Sequence, residues 1–76
     1  MVTVAVAIEN KDRKVGAMVK ALAVEVSGFE SVTGTTKEFL SEHGHYEFHF
    51  PTEAKAEEFR AAVRHYLPGT LAKVRA

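Results

Sequence analysis

Residues 45–50 read His45-Tyr46-Glu47-Phe48-His49-Phe50. Aromatic rings alternate with polar side chains at period two, which predicts a strand with one face buried. Pro51 cannot donate to a ladder and ends the strand. Thr52 is a good helix N-cap, and Glu53 suits a first turn. Ala56, Phe59, Val63 and Tyr66 then recur at helical spacing, an amphipathic stripe that stops before Pro68-Gly69.

The rest of the chain is read outward from that core pair. Val2, Val4, Val6 and Ile8 alternate with Thr3, Ala5, Ala7 and Glu9, a strand with one branched face and one small face. Asn10 or Asp12 can cap the next element. Val15, Met18, Val19, Leu22 and Val26 predict a helix from about Asp12 to Ser27, with Gly28 at its stop. Between Phe29 and Ser41, Thr33, Thr35, Thr36 and Phe39 favour a strand, and Gly34 suggests a bulge. His43-Gly44 reads as a two-residue hairpin turn. From Thr70 to Ala76, Ala72 and Val74 alternate with Lys73 and Arg75, a last strand. The order β-α-β-β-α-β predicts a single α+β domain over 1–76, a ferredoxin-like sandwich. It would have a four-stranded antiparallel sheet with two helices on one face.

The composition fits such a domain. At 76 residues the folded surface should be roughly 4,600 Å², with about 60% of the extended-chain surface buried. Hydrophobic residues make up 46% and charged residues 26%, unlike a disordered or collagen-like chain. Ten basic and ten acidic residues cancel, whereas a dedicated nucleic-acid binder carries a cationic surplus. Without cysteine there is no disulfide, thiolate metal site or cysteine nucleophile. No stretch resembles a secretory leader or the roughly 20 apolar residues of a spanning helix, so no membrane is expected and a cytoplasmic location is the default.

If His43-Gly44 is the turn, period two places His45, Glu47, His49, Glu38, Leu40 and Glu42 beside Thr3, Ala5 and Ala7 on the sheet face away from the helices. His43, His45 and His49 are close in sequence. Two imidazoles at His-x-His spacing on a strand point to one side, about 7 Å apart. His43 and His45, joined by Glu47 or Glu42, could therefore hold a divalent metal such as zinc. A solvated face with Glu–His cross-strand pairs is the plainer expectation. No cofactor-binding pattern is present, and none is expected.

Gly44 to Phe59, GHYEFHFPTEAKAEEF, resembles the third strand and second helix of an RNA-recognition motif. The resemblance covers about a quarter of the chain and implies Tyr46, Phe48 and Phe50 packed inward. That family stacks bases on outward-facing rings. Here those positions hold His45, Glu47, Ala5 and Ala7, so the resemblance implies shared architecture without the RNA-binding chemistry. A second candidate surface is the start of the first helix. Lys11, Arg13 and Lys14 crowd it although cations there oppose the helix dipole, and together with free helical N–H groups they could bind an anion, a phosphate or nucleic acid. The function expected first is a non-catalytic interaction or regulatory module. It would bind itself or another protein through Ala5, Ala7, Leu40, His45, Glu47 and His49. Weak nucleic-acid or phosphate binding through the basic loop and metal binding through His43 and His45 are the alternatives.

Overall fold

The computed structural model describes residues 2–28, 36–67, 69 and 72–75. β1 (Val2–Ile8) leads through a 3-10 turn (Glu9–Lys11) into α1 (Arg13–Ser27). There follow α2 (Lys37–His43), β2 (His45–Phe50), α3 (Glu53–Tyr66) and β3 (Ala72–Arg75). The class is α+β, but the sheet has three antiparallel strands in the order β2-β1-β3, with three helices. The four-stranded ferredoxin-like sheet with two helices is therefore corrected. Of the strand expected over 29–41, residues 29–35 lie outside the described residues, and residues 37–41 are helical.

The local chemistry explains that helix. Thr36 Oγ1 accepts from the Phe39 N–H at 3.1 Å, an N-cap bond, and Glu38 stands in the first turn. At the other end Gly44 adopts φ 75°, left-handed, and its N–H returns to the Leu40 carbonyl at 2.8 Å. His43-Gly44 is thus a helix stop and not a hairpin turn, because glycine takes this conformation without the Cβ penalty. The Gly44 carbonyl then accepts from Ile8 N–H at 3.2 Å, joining the end of α2 to the end of β1.

The branched face of β1 and the aromatic face of β2 turn toward the helices. Val4, Val6, Ile8, Tyr46, Phe48 and Phe50 are all buried. α3 lays Ala56, Phe59 and Val63 across the three strands, and α1 contributes Val15, Val19 and Ala23. The Phe59 ring sits 5.0 Å from Phe48 and 4.9 Å from Phe50, centroid to centroid. The accessible surface of 4710 Å² is close to that expected for a chain of this mass. Among the described residues no helix is long and apolar enough to cross a membrane.

Gly16, inside α1, lies against Tyr46, whose ring is also covered by Lys20 Nζ at 4.7 Å from the centroid. A Cβ on Gly16 would stand 2.7 Å from Tyr46 Cε2. Helix propensity alone would make Gly16→Ala a gain of about 1 kcal/mol. Overpacking against a buried ring costs about 1–3 kcal/mol and reverses the sign, so a net loss of up to about 2 kcal/mol is expected in chemical denaturation. A gain would show that the ring is free to shift.

Burial pushes the Tyr46 hydroxyl above its ordinary pKa of 10.0, against a weaker opposing pull from Arg13. The folded chain then holds this proton more tightly than the unfolded chain. The contribution is complete below about pH 10 and is lost as pH rises through the folded-state value. Tyr46→Phe should flatten that alkaline fall in a pH series of denaturation midpoints. An unchanged fall would assign it to other groups.

Candidate functional site

The sheet face away from α1 and α3 is built in rungs. Thr3 pairs with His49, Ala5 lies between Glu47 and Arg75, and Ala7 lies between His45 and Lys73. Cross-strand partners share a face, so Thr3, Ala5, Ala7, His45, Glu47, His49 and Lys73 stand together on it. Ala5, Ala7, His45, Glu47 and His49 are half-buried, while Thr3 and Lys73 are exposed. Leu40, expected among them, is only 2% exposed and belongs to the core. It sits on α2, where helical geometry turns it inward, and the expected pairing of Glu38, Leu40 and Glu42 with β2 does not form.

Small side chains along β1 leave a shallow trough between β2 and β3. One wall is hydrogen-bonded: Thr3 Oγ1 is 3.1 Å from His49 Nδ1. His45 Nδ1 lies 3.2 Å from the His43 carbonyl, which can only accept, so the bond requires the proton on Nδ1. Nε2 of His45 stands 4.0 Å from Glu47 Oε1 and is protonated only when the ring is charged. The Glu47 side chain is 38% exposed, and among the described residues this histidine is its only ion contact.

His43 occupies the last turn of α2, not a hairpin. Its ring packs on Phe39 at 4.3 Å and lies 5.8 Å from the His45 ring, while Glu42 Oε2 is 3.7 Å from its Nε2. Glu42 beside His43 and Glu47 beside His45 make two separate histidine–carboxylate contacts. Among the described residues no three histidine, aspartate or glutamate side chains come together as a metal-binding group.

Arg13 and Lys14 open α1, and Lys11 lies in the turn before it. The helix start is capped from within: Asp12 Oδ1 accepts from Lys14 N–H at 2.8 Å and from Val15 N–H at 3.4 Å. An anion would need those same amides. Lys11 Nζ donates to the Ser41 carbonyl at 2.7 Å, near the C-terminal end of α2. With Arg13, Glu38, Leu40 and Ser41 it lines a cleft of about 380 Å³. Asn10 and Lys11 both hold φ 53°, left-handed, at a cost of order 1 kcal/mol each. The wall that α2 gives this cleft escapes a strand reading of 37–41, although Thr36 and Gly44 mark the ends of a helix.

No known protein family, characterised relative or solved structure matches the chain. The two positions on α2 separate the two readings of that segment. Leu40→Ala should cost about 2–5 kcal/mol, as a truncated core leucine does. Glu42→Ala, on the exposed side of the same helix, should stay within about 0.5 kcal/mol. Equal small losses in denaturant melts would return Leu40 to the surface.

Proposed function

We propose that this chain is a non-catalytic protein-interaction module whose contact surface is the open sheet face around Ala5 and Ala7. The observation that carries the reading is the trough itself. The middle strand presents Thr3, Ala5 and Ala7 with longer residues on both sides; α1 and α3 pack on the other face, and among the described residues α2 meets this one at His45, through the Phe39 and His43 rings. Alanine at the centre lets a partner's backbone approach closely. Size supports the reading as well: a chain of 76 residues has a thin stability margin, and association adds to it by mass action. The chain carries no cationic surplus, which favours a protein over nucleic acid as the occupant.

Ala5→Arg places a long cation in the middle of the trough without touching the helix-facing core. Met18→Arg makes a matched change on α1, at a position already 52% exposed. Association, with itself or with another protein, should be lost in Ala5→Arg and kept in Met18→Arg, with both melting like the wild type. Sedimentation and pull-down measure this. Binding that survives Ala5→Arg, or that fails in Met18→Arg, would place the contact surface elsewhere.

A further inference from the structure

We propose that the cleft between the start of α1 and helix α2 binds a free amino acid with an apolar side chain. The cleft holds about 380 Å³, the small end of the range of ligand sites. One side comes from the chain entering α1, with Lys11 and Arg13. The other comes from α2, with Glu38, Leu40 and Ser41. None of these residues belongs to the alanine trough of the sheet, so the site is built independently of that contact surface.

The charges select the ligand. Arg13 and Glu38 bring opposite signs to one cleft, yet among the described residues neither forms an ion pair, with the other or with any neighbour. Lys11 is held in place by its bond to the Ser41 carbonyl at 2.7 Å, and an ammonium has two further protons to offer. Ser41 follows Glu38 by three residues, so Lys11 and Glu38 meet the cleft on successive turns of α2.

A simple anion would satisfy the two cations and be repelled by the Glu38 carboxylate. A simple cation would be repelled by Lys11 and Arg13. A zwitterion satisfies both signs at once. Its carboxylate accepts from Lys11 and Arg13, the guanidinium offering two parallel bonds, and its ammonium donates to Glu38. Phosphate gains nothing from the helix N-terminus, because Asp12 already accepts from the Lys14 and Val15 amides. Leu40 and the aliphatic stems of Lys11 and Arg13 make much of the remaining lining apolar, which suits a hydrocarbon side chain.

Titrations followed by amide NMR shifts test the proposal with three probes. These are L-leucine, N-acetyl-L-leucine, which lacks the ammonium, and L-leucinamide, which lacks the carboxylate. Leucine should bind saturably with a Kd on the order of 1 mM, and each derivative at least about tenfold more weakly. Arg13→Gln and Glu38→Gln should each weaken leucine binding by a similar factor. Lys14→Gln, outside the cleft, should bind leucine like the wild type. All three positions are exposed, so the variants should melt like the wild type and their spectra should remain those of the folded chain. Equal binding of leucine and N-acetyl-leucine would make this a plain anion site and overturn the proposal. Equal binding of leucinamide would make it a plain cation site, with the same result. Unchanged leucine binding in either cleft variant would place the ligand elsewhere. No saturable shift up to about ten times that Kd would remove the site altogether.

Discussion

Phe59 reaches down from α3 between Phe48 and Phe50, and all three rings are shut off from solvent. Burying three aromatic side chains in one contact supplies a large share of the apolar stabilisation available to so short a chain. It also commits β2 to one parity. A slip of one residue would bury His45, Glu47 and His49 and expose the rings, at a cost of several kcal/mol. The character of the opposite face follows from that commitment. Val4, Val6 and Ile8 on β1 make the same choice, which leaves Thr3, Ala5 and Ala7 facing outward.

The second organising contact lies at one end of the sheet. The chain leaves β1, passes through two left-handed residues and enters α1 at Asp12. Left-handed backbone at Asn10 is common enough; at Lys11 it is unfavourable, and it persists where the surroundings favour it. Lys11 Nζ meets the Ser41 carbonyl, a cation at the C-terminal end of α2 where the helix dipole is negative. Leu40 anchors the same short helix in the core. In isolation seven residues would not hold a helix. The Lys11 contact, the Leu40 anchor and the two caps together do so. They also give Lys11, one of the three cations of the basic loop, a part in holding the fold.

Charge is arranged on this molecule more tellingly than its sum suggests. Glu53, Glu57 and Arg60 form a linked set on the outer side of α3, with Arg60 Nη1 at 2.7 and 2.9 Å from the two carboxylates.

Period two over 2–8 and 45–50, and helical spacing over 15–26 and 56–66, were legible without coordinates because those segments are long enough to show their periods. From those periods alone came the core residues Val4, Val6, Phe48 and Phe59, and the placing of Ala5, Ala7, His45, Glu47 and His49 on one face. The segment 37–43 was not legible in the same way. It spans two turns, its apolar residues Phe39 and Leu40 are adjacent, and its threonines favour strand as readily as they cap a helix. Only burial of Leu40 and the left-handed geometry at Gly44 decide for helix, and with it for three strands over four and for His43 on a helix end. The rung that sets Glu47 and Arg75 on either side of Ala5 was likewise out of reach of local pattern. Strand neighbours are chosen by how distant segments share one core, and that choice exists only in the folded chain.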